Sequence, residues 1–230
     1  MSLFKKKVLV VAAHSDDDAL GCGGTLIKLA HKGHEIHTIY FTDGVSSRKK
    51  GKDSKKKILK RKKHSLEASK ILGIKTLKNF SYPDNQLDTV PLLKITRNIE
   101  NAINKIKPDI LFTHYENDLN VDHQVIFKAV LTATRPKPRL KLNKIFLFET
   151  LSSTEWKYSI KKQQFNPNYF VDISKTINKK IKAFSCYKDE VCDWPHPRSL
   201  KGIKNLAMIR GQSVGKKFCE AFYLLREIND

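Results

Sequence analysis

The sequence predicts an α/β protein with a single Rossmann-like domain, in which helices flank a mostly parallel sheet. The first observation is an order of apolar patterns: a strand-like run at 8–13, a helical pattern at 19–33 and another strand-like run at 35–42. Strand, helix and strand in so short a stretch imply parallel strands joined by a right-handed crossover. The second observation is that this alternation continues without an internal repeat or a linker rich in Gly, Ser or Pro. We therefore expect one domain over residues 1–230.

The individual elements follow from hydrophobic spacing and from the glycines and prolines between them. Branched and aromatic runs predict strands at 8–13, 35–42, 77–80, 110–114, 144–150, 169–173 and 221–228. Apolar residues at helical spacing predict helices at 19–33, 58–72, 91–107, 125–131, 175–188 and 199–216. Gly33 and Gly73 follow the first two helices, and Pro91 opens the third, as helix boundaries require.

The formal net charge of +21 raises the question of a nucleic-acid partner. Much of the charge is local, because residues 48–63 hold eleven Lys or Arg and one Asp, and we place a basic loop at about 46–57. Such a block is usually solvated, and this one has no aromatic residue to stack on bases. We therefore keep nucleic-acid binding as an alternative only. Attraction of an anionic substrate is the more modest interpretation of the same positive charge.

Cysteine usage and hydropathy bear on the cellular compartment. The four cysteines show no CxxC pair, and in a chain of this length they indicate reduced thiols. No stretch reaches the roughly 18 consecutive apolar residues that a membrane-spanning helix needs. Lysines precede the first apolar run, but the run is too short for a signal peptide and acidic residues follow it. We expect a cytoplasmic protein.

Two polar clusters follow predicted strands, at 14–18 and at 114–124. The carboxyl ends of parallel strands share one edge of a sheet, so His14, Asp16 and Asp17 could meet Asp122 and His123 there. Two histidines and a carboxylate with an open position form a catalytic zinc site, and a second carboxylate would be the general base. Each residue alone has a simpler explanation, such as a helix cap or a satisfied histidine. Their joint occurrence favours the metal.

A dinucleotide site is the competing interpretation of the first turn. Gly21, Gly23 and Gly24 follow the first strand, and Asp43 closes the second. The glycine spacing is not GxGxxG, and the three consecutive acids at 16–18 would face a pyrophosphate. This signal is weak.

The separated motifs resemble the LmbE-like family, which includes the N-acetylglucosaminyl-phosphatidylinositol de-N-acetylases (PIG-L). They are AHSDDD at 13–18, TDG at 42–44 and NDLNVDH at 117–123. Arg61 and the loop of Asp84 match the same pattern. FETLSSTEW at 148–156 and HPRS at 196–199 are similar to a bacterial subgroup of sugar deacetylases.

The resemblance implies roles for the residues of both clusters. His14, Asp17 and His123 would be the zinc ligands, and Asp16 would be the general base that takes a proton from the zinc-bound water. Asp122 would orient nearby imidazole or base groups. The usual AHPDDE signature is altered at two positions, since Ser15 replaces proline and Asp18 replaces glutamate, and neither change removes a ligand.

A second departure concerns the catalytic acid. Where many members carry HPDH, this chain has Asn120 at the position of the first histidine. Asn120 could donate a hydrogen bond to an oxyanion, or it could only orient substrate, but it cannot supply a proton at neutral pH. The acid role could then pass to Asp16. Arg61, Asp84 and Arg198 match positions expected to bind substrate.

The resemblance implies a zinc-dependent hydrolase that removes the acetyl group from an N-acetylated amino sugar, such as N-acetylglucosamine, or from its conjugate. Fe²⁺ or Mn²⁺ could occupy the same ligand set. Homo-oligomers are common in such a family. The alternatives are a metal-dependent amidase acting on a non-sugar amide and a basic nucleic-acid-binding module, which would bind DNA with a steep dependence on salt.

Overall fold

A computed structural model describes residues 5–47, 54–138, 140–158 and 164–229. Within these residues the chain forms one seven-stranded sheet with helices on both faces. The strands are β1 (Lys7–Ala12), β2 (Glu35–Thr42), β3 (Ile74–Tyr82), β4 (Ile110–His114), β5 (Lys144–Phe148), β6 (Tyr169–Asp172) and β7 (Cys219–Glu227). The helices are α1 (Asp17–Gly21), α2 (Gly23–His31), α3 (Ser54–Leu72), α4 (Leu92–Ile106), α5 (Val121–Ala133), α6 (Ile177–Ser185) and α7 (Leu200–Gln212).

The strand order is β3-β2-β1-β4-β5-β7-β6. The first five strands in this order pair in parallel, and β7 is antiparallel to both β5 and β6. The predicted mostly parallel α/β architecture is therefore confirmed. The order reverses between β1 and β4, because the chain leaves β1 first toward β2 and later returns to its other side. That is the position at which open α/β sheets form a ligand crevice.

Both faces of β1 are buried, which explains its unbroken apolar run. Leu9 and Val11 pack with α4 and α5 on one side, whereas Val8 and Val10 pack with α2 on the other. All four side chains have no solvent exposure. The first polar cluster thus begins at the end of a strand that is packed on both faces.

Several helix boundaries differ from the sequence prediction, and the following ones lie nearest the polar clusters and the basic loop. The pattern at 19–33 is two helices, since the backbone at Cys22 leaves helical geometry with a φ of −139°. Helix α3 already begins at Ser54, so residues 54–57 of the predicted basic loop are helical, and residues 48–53 lie outside the described part. Helix α5 begins at Val121, which places His123 in its first turn. Within the described residues, no helix is long and apolar enough to cross a membrane.

A buried ion pair joins the break between α1 and α2 to the far part of the sheet. Lys180 on α6 donates to Glu220 on β7 at 2.6 Å and to the carbonyl oxygen of Leu20 at 2.7 Å. The other hydrogen bonds of Glu220 come from the backbone N–H groups of Gly24 and Thr25, at 2.8 and 2.7 Å. One carboxylate therefore satisfies the amino end of α2, while one ammonium group satisfies the carboxyl end of α1.

Gly21 is required by a close approach between α1 and β5. A Cβ atom at Gly21 would lie 2.3 Å from the ring of Phe148, whose side chain is fully buried. We expect Gly21→Ala to lower the free energy of unfolding by about 1–3 kcal/mol, because the ring has no free space to move into. Urea denaturation would measure the change. Gly23→Ala is the matched control, since its nearest neighbour is a Leu72 methyl group at 3.2 Å; an equal loss in both variants would contradict the packing argument.

Candidate metal centre and active site

The carboxyl ends of β1 and β4 and the first turns of α1 and α5 bring the polar clusters together. His14 follows β1, Asp17 opens α1, His114 ends β4 and His123 lies in α5. None of these side chains is more than about a tenth exposed. The expected meeting of the two clusters at one sheet edge is what the structure shows.

His14, Asp17 and His123 form a group whose ligand atoms lie within 4.8 Å of one another. Nδ1 of His14 lies 3.2 Å from Nε2 of His123 and 3.2 Å from Oδ2 of Asp17. Nε2 of His123 lies 3.5 Å from Oδ1 of Asp17. Two imidazole nitrogens and one carboxylate therefore face a common point, which is a three-ligand set of the kind that holds a catalytic zinc ion.

The hydrogen bonding of this group also fits a cation. Oδ1 of Asp17 is buried and has no hydrogen-bond partner among the described residues. A buried carboxylate oxygen without a partner is costly. Nδ1 of His14 and Nε2 of His123 face each other, and two lone pairs that face each other cannot form a hydrogen bond. A divalent cation would satisfy all three atoms at once.

Without a cation, protons balance the charge of Asp17. Burial disfavours the imidazolium form of His14, but the charge of Asp17 outweighs it and raises the pKa of His14 well above its usual value. Against the same penalty of burial, the charges of Asp17 and Asp118 raise the pKa of His123 to about 9. Burial would raise the pKa of Asp17, yet His123 and His14 hold it well below the ordinary range.

A second group, formed by His14, Asp84 and Asp122, also lies within the span of one ion. Its oxygens are already engaged: Asp122 accepts the N–H groups of Asn85 and Leu87, at 2.7 and 2.9 Å. Asp84 accepts the hydroxyl of Ser47. Nε2 of His14 lies 3.1 Å from Asp84 and 3.2 Å from Asp122. These two carboxylates therefore orient His14 through its Nε2 atom. The group of His14, Asp17 and His123 fits the metal better than this second group does.

Two further residues fix the histidines. His114 accepts the N–H of Ala13 at 3.0 Å through Nε2, and burial lowers its pKa to about 4, so the ring is neutral. Asp118 lies 3.0 Å from Nδ1 of His123. Burial opposes the charged form of Asp118, but His123 holds its pKa well below the usual range, and the hydroxyls of Ser153 and Thr154 donate to it. Asp118 thereby orients His123 from the side away from Asp17.

Asp16 lies within a buried group of alternating charges. Its Oδ1 accepts a hydrogen bond from Arg61 at 2.5 Å, and its Oδ2, 3.5 Å from Arg198, has no hydrogen-bond partner among the described residues. Both guanidinium groups also contact Glu190, at 2.6 and 3.3 Å. Arg61 further donates to Ser15 at 2.9 Å. One oxygen of Asp16 is thus held in place, while the other keeps a free lone pair.

Asn120 is placed as the cap of α5. Its side-chain oxygen accepts the N–H of Asp122 at 2.8 Å, and its amide group donates to Asn85 at 3.0 Å. Its own N–H donates to Asp118 at 2.9 Å. A role for Asn120 in catalysis stays a prediction, because every polar group of its side chain has a structural partner here.

Three residues that position the site, His114, Asp118 and Glu190, are not among the site residues predicted from the sequence. His114 and Asp118 lie inside the second polar cluster, but each alone has a simpler explanation, as a satisfied histidine and as a helix cap. Glu190 had no sequence signal, since its role depends on meeting Arg61 across the fold. Asp18 points away from the cluster toward Tyr40, which donates to it at 2.5 Å, and burial raises the pKa of Asp18 to about 7.

Comparison with known proteins agrees with this site. The GlcNAc-PI de-N-acetylase family (PIG-L) matches residues 9–134, a segment that includes His14, Asp17 and His123. The chain belongs to the PIG-L family. The diacetylchitobiose deacetylase of Thermococcus kodakarensis is 27% identical over 231 residues, covering 94% of this chain and 81% of the relative.

Solved structures share the fold over nearly the whole chain. The N,N'-diacetylchitobiose deacetylase of Pyrococcus horikoshii superimposes with a TM-score of 0.77 at 23% identity, covering 96% of this chain and 84% of the other. GalB, the 4-carboxy-2-hydroxymuconate hydratase of Pseudomonas putida, has a TM-score of 0.74 at 20% identity and 98% coverage of both chains. One fold thus carries two reaction types, so the reaction must be argued from the site.

Proposed function

We propose that this PIG-L family protein is a zinc-dependent hydrolase that removes the acetyl group from an N-acetylated amino sugar or its conjugate. The observation that carries the proposal is the group of His14, Asp17 and His123, and Asp16, which precedes Asp17 in the chain, has one carboxylate oxygen without a hydrogen-bond partner among the described residues. A nitrogen-rich set of two imidazoles and one carboxylate suits zinc, with Fe²⁺ and Mn²⁺ as the alternatives. When bound, the ion would polarise the acetyl carbonyl and acidify a water molecule.

We assign the role of general base to Asp16. Arg61 holds one carboxylate oxygen at 2.5 Å, which fixes the direction of the other, and that second oxygen has a free lone pair. In the proposed reaction Asp16 takes a proton from the attacking water. It then returns that proton to the sugar nitrogen as the C–N bond breaks, so that water and amide become acetate and amine. Asp16 therefore acts first as base and then as acid, which requires no proton from Asn120.

The remaining predicted residues surround this reaction centre. Arg61 and Arg198 place positive charge on both sides of Asp16, and Asp84 fixes His14, as described above. We propose that these three residues also border the bound sugar. The relative from Thermococcus kodakarensis is named for deacetylating diacetylchitobiose, and this supports an N-acetylglucosamine unit as the substrate. Cytoplasmic location and homo-oligomer formation stay predictions.

The proposal is tested by acetate release from the purified, zinc-loaded protein. We expect release from N-acetylglucosamine or N,N'-diacetylchitobiose, and none above background from an N-acetyl amino acid. Hydrolysis of the amino acid alone would favour the amidase alternative. Binding to mixed DNA that weakens steeply with salt, together with no hydrolysis of either class, would favour the nucleic-acid alternative.

Zinc uptake by the metal-free protein is expected to release about two protons per ion at pH 7, because His14 and His123 must both lose a proton to bind it. Both pKa values are raised in the folded protein, that of His123 to about 9. The apparent zinc affinity should therefore rise with pH over the range in which both imidazoles lose their protons, and fall as the solution is acidified. Titration calorimetry in buffers of different ionisation enthalpy measures the proton count. Substitution of the exposed His31 by alanine is the control, and binding without proton release would contradict the assignment.

A further inference from the structure

A cavity with a volume of about 300 Å³ opens near the amino ends of β4 and β5. Its lining residues come from α2, β4, β5 and β6, together with Lys6 before β1 and Lys32 after α2. The volume is at the lower end of the range for ligand pockets in proteins. The candidate metal centre lies at the carboxyl ends of β1 and β4, so this cavity is separate from the reaction centre.

One part of the lining is aromatic. Phe112 and Phe146 are almost fully buried, and their rings stack with centroids 5.1 Å apart. The ring of Tyr169 lies against Phe146, with centroids 4.7 Å apart, and Tyr169 is 36% exposed. Aromatic rings pack favourably against other flat apolar groups. A ligand with such a group could therefore reach the ring of Tyr169 from solvent.

The other part of the lining is positively charged, since four lysines contribute to it: Lys6, Lys28, Lys32 and Lys144. Lys28 donates to the carbonyl oxygen of Asp172 at 2.7 Å, and Lys144 pairs with Glu227 at 2.5 Å. The ammonium groups of Lys6 and Lys32 have no hydrogen bond or ion pair with any described residue. Two cations in the lining are therefore free to bind a ligand.

The acidic residue of the described lining, Asp172, does not neutralise these two cations. Its carboxylate accepts the N–H of Ser174 at 2.9 Å, and its carbonyl oxygen accepts Lys28. Asp172 is thus engaged within its own turn and with a lysine that is already paired. The lining keeps an excess of positive charge at Lys6 and Lys32.

His34 shows that this positive charge is felt nearby. Its Nδ1 accepts the N–H of Lys6 at 3.0 Å. Burial lowers the pKa of His34, and the charges of Lys32 and Lys6 lower it further, against an opposing effect of Asp109. An anion bound between the two lysines would relieve this repulsion.

We propose that this cavity binds an organic anion in which a flat apolar ring carries a phosphate or carboxylate group. The ring would pack against Tyr169 and Phe146, and the anionic group would accept charge-assisted hydrogen bonds from Lys6 and Lys32. Two unpaired cations beside an aromatic surface match the two halves of such a molecule. The inference is independent of the proposed function, because the described residues of the lining all differ from those assigned to the reaction centre.

The test measures the binding of 1-naphthyl phosphate to the zinc-loaded protein by titration calorimetry. We expect it to bind at least about tenfold more tightly than inorganic phosphate or neutral 1-naphthol, because each of these carries one half of the ligand. 1-Naphthoate distinguishes the two anionic groups, and tighter binding of either naphthyl anion supports the inference and assigns the group. Equally tight binding of inorganic phosphate, or no saturable binding of either naphthyl anion, would overturn it.

Two variants test the location of the site. The double substitution Lys6→Ala with Lys32→Ala should weaken binding of 1-naphthyl phosphate about tenfold. Tyr169→Ala should also weaken it and should leave the binding of inorganic phosphate unchanged. Lys70→Ala is the matched control, because Lys70 is an exposed lysine that lines a different cavity. Equal weakening in Lys70→Ala would attribute the binding to net charge and overturn the site.

His34 provides an independent readout of where the anion binds. Because a bound anion offsets the charges of Lys6 and Lys32, saturation with 1-naphthyl phosphate should raise the pKa of His34. The double substitution of these lysines should raise it without ligand. Titration of the imidazole followed by NMR measures both changes, and an unchanged pKa at saturation would place the ligand elsewhere and overturn the inference.

Discussion

Replacing Asp16 with asparagine is expected to lower kcat about 100- to 10,000-fold while the protein keeps its metal. The magnitude is that of losing a positioned general base. The amide keeps the size of the carboxylate and an oxygen for the hydrogen bond from Arg61, but it cannot take a proton from water. Elemental analysis and acetate release measure the two properties in the same preparation, with a binding stoichiometry of about one ion per chain expected.

Two variants separate the base from the metal group. His123→Ala should lose both the ion and the activity, because it removes one of three ligands. Asp88→Asn makes the same chemical change at an exposed position and should alter neither property. Loss of metal in Asp16→Asn would assign Asp16 to the ligands, and full activity in that variant would exclude it as the base.

Glu220→Ala is expected to lower the free energy of unfolding by about 3–5 kcal/mol, the largest stability effect that the fold suggests. The substitution leaves the ammonium group of Lys180 buried without its partner, and it removes the acceptor for two N–H groups at the start of α2. Chemical denaturation monitored by circular dichroism measures the change.

The same strand provides a matched control. Glu227 pairs with Lys144 near the other end of β7, where both side chains are about a quarter exposed. Glu227→Ala should cost no more than about 1 kcal/mol, as partly solvated pairs do. Adding Lys180→Met to Glu220→Ala should recover part of the loss, since it removes the unpaired charge. An equal cost for the two glutamates would contradict the importance of burial.

Strands were the easiest elements to predict from the sequence. The bounds of β2 and β4 are those expected, because continuous apolar runs end abruptly at polar residues. The break at Cys22 could not be predicted, since the apolar pattern continues through it and the break depends on contacts of Lys180 and Glu220 across the fold. The start of α5 was placed too late because its first turn is polar, and its polar residues belong to the site.

The site was predictable to the extent that its residues follow strand ends. His14, Asp17 and His123 come together because β1 and β4 are neighbours in the sheet. The alternation of strands and helices predicted that these strand ends share one edge of the sheet, but not that the two strands are adjacent. Glu190 comes from a segment far along the chain, and no local pattern indicates where such a segment will lie. Its contact with Arg61 and Arg198 required the three-dimensional structure.

The groups that would hold the ion and the loops that contact their neighbours come from different parts of the chain. The candidate ligands lie between residues 14 and 123, whereas the loops at 151–158 and 191–199, which contact Asp118 and Asp16, follow β5 and precede α7. Within these loops, Ser153 and Thr154 help to orient His123 through Asp118, so the ligand positions depend on these two residues. The candidate metal centre is therefore built by one part of the chain and supported by hydrogen bonds from another, so that residues far apart in the sequence fold as one unit around it.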